Sequence, residues 1–492
     1  MSLEQWFLLS PLLALGLGGL LLMLLEVFLP EQQARFLPGF TLATLGVSAA
    51  LAGGTWLRYP GGYSQQILGG AVAVDNFGTF LTLLILGAAF CSVLMGWTYF
   101  PQEKMEHGEV YSLLLFAVAG MVALVSGTHL ITLFVAVEVM SIAVYVLVGA
   151  RRQSVTGNEA ALKYFFLGSF ASGLLLMGIA LIYGMVGSVE LHAIGHFLAH
   201  PEAGKLPLAL VGVLLLFAGM GFKVAAVPFH AWAADVYQGA PTPITAFMAT
   251  AVKTASFGFL IRVAGTAFLP AHAQWVDLVS VLAILTMTVG NALAFAQTEI
   301  KRMLAFSSVA HTGYLLMGIV ALGGHGHSAR AMLVYLATYV LSSLPLFAVL
   351  TAWSGPGEKR TRIEDLAGLG RSNPVFALVI GVSLASMMGL PPTVGFFGKF
   401  TLFSEVLAAG HGWLALIAIL NSIASVAYYL RPILVMTMQE ATETKPAAET
   451  DLPGIVRAAL PVGAVAVALL TALPLVFDRL VGWAGHSTSG LF

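Results

Sequence analysis

Five ionisable side chains lie inside stretches of the chain that are otherwise almost wholly apolar. They are Glu138, Lys223, His230, Lys253 and Lys399. Carboxyl, imidazole and amine groups can all exchange protons. A lone charge near the centre of a membrane helix costs roughly 2.5 to 3.5 kcal/mol on insertion scales, so such residues mark ion or proton pathways. These residue types therefore favour proton transfer across an apolar barrier.

The basic residues that we predict to lie inside the apolar runs, or at their edges, are all lysines. Four of the 22 basic residues fall there, namely Lys163, Lys223, Lys253 and Lys399. Arginine stays charged in proteins, whereas lysine can lose its proton when it is desolvated. This choice favours proton-exchanging sites over structural cations. Lys163 lies only a few residues into its run, so a side chain that snorkels to the membrane surface is an equal alternative for it.

Glu138 is interpreted as the partner of Lys223, because a carboxylate beside an ammonium lowers the desolvation penalty of both groups. A protonated carboxyl bonded to a neighbouring helix is the alternative. His230 could relay protons between Lys223 and Lys253, since imidazole accepts and donates protons near neutral pH. A purely structural histidine is the alternative there, and the same two interpretations hold for His311.

Composition restricts the class of protein. Of 492 residues, 59% are hydrophobic and 9% are charged, and the mean hydropathy is +0.91, which excludes a soluble globular protein and indicates a membrane protein with many spans. The net charge of −1 suggests no nucleic-acid partner. The single cysteine, Cys91, excludes a disulfide framework, a cysteine-ligated zinc site and an iron–sulfur cluster held by this chain alone.

Apolar runs long enough to cross a bilayer predict an all-α polytopic fold with fourteen spans in a single membrane domain. The first run has no basic leader and is too long for a signal peptide, so it is interpreted as a retained span. The polar connections 354–373 and 439–453 hold no recognisable domain. The runs fall near 6–29, 36–56, 77–100, 111–127, 129–150, 160–186, 206–237, 241–264, 275–297, 303–323, 328–353, 374–407, 411–438 and 454–477.

Two of these spans are interrupted by proline, the seventh at Pro228 and the twelfth at Pro391-Pro392, each with a lysine nearby. Five spans separate the two breaks, which is the offset expected of inverted five-helix repeats. The predicted division is three N-terminal helices in 1–110, a first repeat (spans 4–8) in 111–264, a second repeat (spans 9–13) in 275–438, and span 14 at 454–477.

The distribution of basic residues predicts that both termini face the outside of the cell, because inner loops carry an excess of lysine and arginine. With this orientation thirteen basic residues fall on the inside and five on the outside. The thirteen are Arg35, Lys104, Arg151, Arg152, Lys301, Arg302, Lys359, Arg360, Arg362, Arg371, Arg431, Lys445 and Arg457; the five are Arg58, Lys205, Arg262, Arg330 and Arg479.

Three histidines, His192, His196 and His200, repeat every four residues in one loop and would share a helical face. No acidic or cysteine ligand accompanies them, so an interfacial helix is favoured over a metal site. No P-loop, dinucleotide-binding glycine motif or HExxH motif occurs in the chain.

Five stretches resemble a known family. They are AVEVMSIAVYVLVG, EAALKYFFLGSFASGLLLMGIALIYG, KVAAVPFHAWAADVYQGAPTPITAFMATAVK, EIKRMLAFSSVAHTGYLLMG and GLPPTVGFFGKFTLF. Together they resemble the antiporter-like membrane subunits of respiratory complex I, most closely the subunit N type of bacterial NADH-quinone oxidoreductase. The resemblance covers residues 110–435, and a lysine within the last stretch, Lys399, separates this type from the related subunit M.

The resemblance implies a proton-translocating module in a bacterial inner membrane, partnered by other membrane subunits of the complex. It implies that Glu138 and Lys223 gate proton uptake, that Lys253 lies mid-path with His230 linking it, and that Lys399 is the terminal site. Lys163 and Lys301 match further lysines of the family with less defined roles. No cofactor is expected in this chain, and NADH, FMN, iron–sulfur clusters and quinone are expected in other subunits.

Two other functions compete with this interpretation. The chain could be a monovalent cation/proton antiporter subunit of an Mrp-type or hydrogenase-type complex. It could also be a passive membrane scaffold whose lysines are merely compensated. Arginine replacements distinguish the scaffold, which tolerates a fixed charge, from a proton carrier, which does not.

Overall fold

The structure is a computed structural model that describes residues 2–28, 36–59, 61–105, 107–324, 327–440 and 474–488. Twelve helices in these ranges are long and apolar enough to cross a membrane, and the prediction of an all-α polytopic membrane protein is confirmed. In chain order the helices are α1 (Leu3–Phe28), α2 (Phe36–Arg58), α3 (Asn76–Gln102), α4 (Gly108–Ser126), α5 (Leu130–Val148), α6 (Val155–Val186), α7 (Leu191–Ala199), α8 (Leu206–Lys223), α9 (Ala233–Gly239), α10 (Thr242–Phe247), α11 (Lys253–Thr266), α12 (His272–Phe295), α13 (Ile300–Val320), α14 (Ser328–Ser354), α15 (Leu369–Ser372), α16 (Pro374–Met388), α17 (Val394–Ala408), α18 (Gly412–Met438) and α19 (Pro474–Thr488).

The predicted spans correspond closely to these helices. Spans 1–11 and 13 each match one of the twelve long helices, with the seventh continued by α9, and span 12 is divided into α16 and α17. Most of the predicted span at 454–477 lies outside the described residues, where α19 begins at Pro474. The total of fourteen spans and the repeat boundaries therefore stay predictions.

One feature of the fold was not predicted, an antiparallel hairpin of β1 (Ser64–Ile67) and β2 (Val72–Asp75). Its turn contains Gly69 and Gly70, whose positive φ angles of 66° and 91° suit glycine. The backbone N–H of Thr128 donates to the Ala71 carbonyl at 3.1 Å, which attaches the hairpin to the α4–α5 connection. We call this side of the helical bundle the hairpin end.

Proline interrupts both spans where the sequence predicted breaks, and neighbouring groups bind the freed backbone, as expected where lipid offers no partner. At the first break the Val227 N–H donates to the Thr286 hydroxyl at 3.0 Å, and the Thr312 hydroxyl donates to the Val224 carbonyl at 2.7 Å. At the second break the Gly395 N–H donates to the Ser386 hydroxyl at 3.1 Å. The predicted interruptions of the seventh and twelfth spans are therefore present in the structure.

The centre of the bundle is formed by α10, α11 and α13, which are buried along nearly their full length. A π-helical turn, Met248–Val252, joins α10 to α11 and places Lys253 directly after it. Close packing holds α13 against α12, since a Cβ added at Gly290 would lie 2.6 Å from the Ala310 nitrogen. Small residues permit such close helix contacts in membranes.

Several basic residues that the sequence assigned to loops lie within helices. Arg262 lies within α11, where its guanidinium bonds both Asp75 carboxylate oxygens at 2.8 and 2.9 Å and the Val125 carbonyl at 2.9 Å. Lys301 and Arg302 lie in the first turn of α13. The expectation that no arginine lies inside a span thus fails at Arg262, where a bidentate carboxylate compensates the buried charge. It also fails at Arg431, which lies within α18 and donates to the Gln297 carbonyl at 3.1 Å.

The loop with three spaced histidines is helical, as predicted, and forms α7 at the hairpin end. Its His196 and His200 rings lie 5.6 Å apart, between ring centres. This helix is separate from the polar interior of the bundle.

Candidate functional site

Lys223 is the last residue of α8, so it lies where the helix carbonyls carry partial negative charge. Its side chain is buried, and its Nζ donates to the Ser141 hydroxyl at 2.8 Å and to the Tyr145 hydroxyl at 2.9 Å. Both acceptors lie on α5, four residues apart and hence on one helical face. Lys223 therefore bridges the broken span to α5 through neutral hydroxyl groups.

Glu138 lies on the same face of α5, three residues before Ser141. Its carboxylate accepts a hydrogen bond from the Ser172 hydroxyl of α6. Glu138 and Lys223, both within the described residues, form no direct ion pair, so the predicted contact is not made in this structure. Three helical residues correspond to a rise of about 4.5 Å, so Glu138 lies about one helical turn from Ser141, the acceptor of Lys223 that is closer to it along α5.

Lys253 is the first residue of α11, and its side chain is buried. Its Nζ donates to the Ser308 carbonyl at 2.5 Å and to the Ser308 hydroxyl at 2.8 Å, both on α13. The ammonium also lies 4.8 Å from the centre of the Tyr339 ring, and the Ser308 hydroxyl lies 3.4 Å from the Tyr237 hydroxyl. Lys253 thus connects to α9, α13 and α14 through polar or aromatic groups.

Lys399 lies on α17, just after the second broken span resumes. It is buried, and its Nζ donates to the Met388 carbonyl and to the Ser422 hydroxyl, at 2.9 Å each. Met388 is the last residue of α16, so this lysine also lies at the carbonyl end of a half-helix. Lys223 thus lies before the break in its span, whereas Lys399 lies after the break and bonds the end of the preceding half-helix.

Between Lys253 and Lys399 lies His311, in the middle of α13. Its Nδ1 lies 2.6 Å from the Tyr335 hydroxyl and its Nε2 lies 3.0 Å from the Tyr429 hydroxyl. His311, Tyr339 and Lys399 line a common cavity of about 10 Å³. That volume accommodates roughly one water molecule. Imidazole, hydroxyls and water are all groups that pass protons on.

His230 does not hold the position that the sequence suggested. Its ring is half-buried, and among the described residues its Nδ1 has no hydrogen-bond partner. Its ring forms no hydrogen bond with Lys223 or Lys253, whose ammonium groups bond Ser141, Tyr145 and Ser308. The histidine that shares a cavity with a buried lysine is His311, for which the sequence left a relay role and a structural role open.

The two remaining predicted lysines differ from each other. Lys163 has a side chain 45% exposed, and it forms ion pairs with Glu159 at 2.8 Å and Asp235 at 2.9 Å. Lys301 is buried, 2.8 Å from the Glu358 carboxylate and 2.8 Å from the Ala240 carbonyl. Neither side chain contacts Lys223, Lys253 or Lys399.

The hydroxyl partners of the lysines were missed by sequence analysis. Serine and tyrosine are frequent in membrane helices, where they bond their own helix or its neighbours, so their types alone give no signal. Only the packing of distant segments reveals them, as for Ser141 and Lys223, which lie 82 residues apart.

The fold and the site define an antiporter-like membrane protein, with two broken spans and three buried lysines bonded to neutral acceptors. The family described as NADH:quinone oxidoreductase/Mrp antiporter, TM, matches residues 127–425, more than half of the chain. The chain belongs to this family, and the resemblance found in its sequence is confirmed.

Individual relatives agree with this assignment. NADH-quinone oxidoreductase subunit N of Trichlorobacter lovleyi is 41% identical over 88% of this chain and 88% of its own length. Subunit N 1 of Sorangium cellulosum is 40% identical over 96% of this chain and 97% of its own length.

Two solved structures have the same fold. A chain of respiratory complex I from Thermus thermophilus with bound aureothin is 37% identical, with a TM-score of 0.78, covering 96% of this chain and 99% of that one. A chain of the Mrp complex from a Dietzia species is 23% identical, with a TM-score of 0.85, covering 100% of this chain and 98% of that one. The second likeness concerns the fold alone.

Proposed function

We propose that this chain is a proton-translocating membrane subunit of a bacterial NADH-quinone oxidoreductase, of the subunit N type. Protons move along a buried axis of Glu138, Lys223, Lys253, His311 and Lys399. Redox chemistry occurs in other subunits, which hold the FMN, the iron–sulfur clusters and the quinone. This chain itself takes part in the reaction as the proton-moving element and binds no cofactor.

The observation that carries the proposal is the way the three lysines are bonded. Each ammonium is buried and donates to serine or tyrosine hydroxyls or to backbone carbonyls. Within the described part of the chain, none of the three forms an ion pair with a carboxylate. A lysine without a fixed counter-charge can release its proton and remain hydrogen-bonded, since a neutral amine still accepts and donates.

The path begins at the Glu138–Lys223 region, where the carboxylate modulates proton release from the lysine. It continues to Lys253 and then through His311 and its tyrosines to Lys399. His311 takes the relay role that the sequence had given to His230. Lys163 lies at the surface and has no part in the axis.

The chain spans the inner membrane with both termini outside, so the hairpin end faces out. The side of the bundle opposite the hairpin carries Arg151, Lys301 and Arg302, as the positive-inside rule requires of an inner surface. The N-terminal helix supports this orientation, because its Leu9 packs with Ile67 and Val72 of the hairpin.

A monovalent cation/proton antiporter is the second candidate function. It is less well supported because a dehydrated alkali cation needs several oxygen ligands, whereas the axis is lined by three ammonium groups that repel it. Sodium dependence of transport in reconstituted vesicles separates the two functions. Transport that needs no sodium supports the proton pathway.

The test of the proposal is the Lys253→Arg variant of the whole complex, with Lys205→Arg as a matched control on an exposed surface lysine. Proton uptake and NADH-quinone turnover are measured in membranes, with assembly checked on native gels. Arginine keeps the charge but cannot release it, so both rates should fall about tenfold or more, a barrier increase of at least 1.4 kcal/mol. Wild-type rates in an assembled Lys253→Arg complex would favour the passive scaffold.

A further inference from the structure

Glu358 is a buried carboxylate in the short connection after α14, within the 3-10 turn Pro356–Glu358. One carboxylate oxygen accepts from the Tyr99 hydroxyl at 2.8 Å, from the Thr242 N–H at 2.8 Å and from the Thr242 hydroxyl. The other accepts from Lys301 Nζ at 2.8 Å. Four donors from three separate helices therefore converge on one side chain.

The backbone of Glu358 has an unusual conformation. Its φ angle is +48°, in the left-handed region that residues with a Cβ rarely adopt. Such a conformation persists only where surrounding contacts determine it. Here they are the four hydrogen bonds to the side chain and the bond from the Glu358 N–H to the Gly355 carbonyl at 3.0 Å. The neighbouring Gly357 N–H donates to Glu103, which fixes the same turn from the α3 side.

The charges around Glu358 balance one another. Arg151 lies 3.5 Å from Glu103 and 3.8 Å from Glu358, and Lys301 lies 2.8 Å from Glu358, giving two cations and two carboxylates. Burial by itself raises the pKa of the Glu358 carboxyl. The charge of Lys301, with hydrogen bonds from Lys301 and Thr242, outweighs burial and holds that pKa below its ordinary value. The carboxylate thus stays ionised at neutral pH.

This cluster fixes the starting points of two helices that carry the proton axis. Thr242 begins α10, whose continuation bears Lys253, and a carboxylate at a helix N-terminus is stabilising. Lys301 lies in the first turn of α13, seven residues before Ser308. Lys301 also donates to the Ala240 carbonyl just before α10. The Lys253–Ser308 contact therefore lies between helices whose ends are joined by Glu358 and Lys301.

We infer that Glu358 is a positioning residue for the Lys253–Ser308 contact, and that Lys301 is its permanently charged partner and not a proton carrier. The inference rests on the proposed function and deepens it. A carrier must lose its proton in each cycle. Loss of the Lys301 proton would leave the Glu358 carboxylate buried beside Arg151 alone, 3.8 Å away, and would remove the donor that holds Ala240.

The test compares Glu358→Gln, Lys301→Gln and the double variant Glu358→Gln/Lys301→Gln in the complete complex. Each single change leaves one buried charge uncompensated, so proton uptake and NADH-quinone turnover should each fall about fivefold or more. The double variant removes both charges and keeps an amide pair that can still bond Thr242 and Ala240. Its turnover should return to within about twofold of the wild type, with an unchanged pH profile.

Matched controls lie in the same connection of the chain. Lys359→Gln and Glu364→Gln remove charges of the same signs from exposed side chains and should leave both rates unchanged. Native gels record assembly. If the single variants fail to assemble and the double variant assembles and pumps, the pairing is supported as well.

Either of two results would overturn the inference. A double variant as impaired as Lys301→Gln, or unable to assemble, would show that Lys301 acts on its own. Wild-type rates in both single variants would show that the pair positions nothing of consequence. The Lys253→Arg variant is measured alongside to test the proposed axis itself. If Lys253→Arg pumps normally, the proposed axis has failed. If Lys253→Arg is defective and the double variant is not restored, only the role given to Glu358 is rejected.

Discussion

Lys223 forms its hydrogen bonds about one and two turns beyond Glu138 on α5, to Ser141 and Tyr145, while Glu138 bonds Ser172 of α6. The two charged groups thus share a helical face without touching. An ammonium held by hydroxyls releases its proton more readily than one paired with a carboxylate. Movement of the lysine by one turn along this face would exchange its hydroxyl partners for the Glu138 carboxylate. Because the two kinds of partner differ in how readily the ammonium releases its proton, such a movement gives the region a physical basis for gating.

The first prediction concerns the carboxylate. Glu138→Gln keeps the acceptor for Ser172 but removes the charge. It should reduce proton uptake by about three- to tenfold, corresponding to about 0.7 to 1.4 kcal/mol, which is less than the loss expected for Lys223→Ala. Glu138→Asp should retain partial activity. Proton uptake by membrane vesicles measures both changes. Equal loss in Glu138→Gln and Lys223→Ala would contradict a modulating role for the carboxylate.

The second prediction distinguishes the two histidines. His311 lies among Tyr335, Tyr429 and the cavity shared with Lys399, whereas His230 has no partner at Nδ1 among the described residues. His311→Ala should therefore lower proton uptake about tenfold or more, and His230→Ala about twofold at most, on the scale of a lost proton-transfer group. The reverse order of the two effects would restore His230 as the relay.

The features of this arrangement that depend on local chemistry could be predicted from the sequence. Apolar runs specify the spans because an unpaired backbone cannot cross lipid, and the breaks at Pro228 and Pro391-Pro392 follow from the missing proline N–H. The buried lysines could be identified because charged residues are rare in such apolar runs. These features require no knowledge of neighbouring helices.

Features that depend on partners distant in sequence could not be predicted. Arg262 was assigned to a loop because Asp75, which compensates it, lies 187 residues away. The contact between Glu138 and Lys223 was expected from charge alone, but hydroxyls on α5 and α6 satisfy both groups separately. The π-helical turn before Lys253 also has no marker in the sequence.

The third prediction concerns Gly389, the residue that caps the C-terminus of α16 directly after Met388, with a φ angle of +87°. A Cβ at this position would lie 2.9 Å from Lys399 Cδ and 3.5 Å from its Nζ. Gly389→Ala should therefore displace the lysine and lower proton uptake by about threefold or more, in addition to a backbone cost of about 1 to 2 kcal/mol.

Gly410 provides the matched control for this change, because its φ is +88° and a Cβ there would meet no atom within 4 Å. Gly410→Ala carries the same backbone cost without touching a lysine. The two variants should be similarly destabilised in thermal denaturation, and only Gly389→Ala should lose pumping. Equal pumping in both would show that the Lys399 position is not sensitive to this contact.

The fourth prediction is topological. Cysteines introduced at the exposed Ser2 and Ser372 should react with a membrane-impermeant thiol reagent from opposite sides of the membrane, Ser2→Cys from the outside and Ser372→Cys from the inside. The native Cys91 is replaced by serine in both variants to remove background labelling. Labelling of both positions from one side would refute the assigned orientation.

The central claim is that the buried lysines carry protons, and Lys223→Arg tests it most directly. Arginine keeps the positive charge and can still donate to Ser141 and Tyr145, but it does not release its proton. We expect an assembled Lys223→Arg complex to lose proton uptake and coupled NADH-quinone turnover together, about tenfold or more, as Lys223→Ala does. Full proton uptake at the wild-type rate by an assembled Lys223→Arg complex would show that this lysine carries no proton.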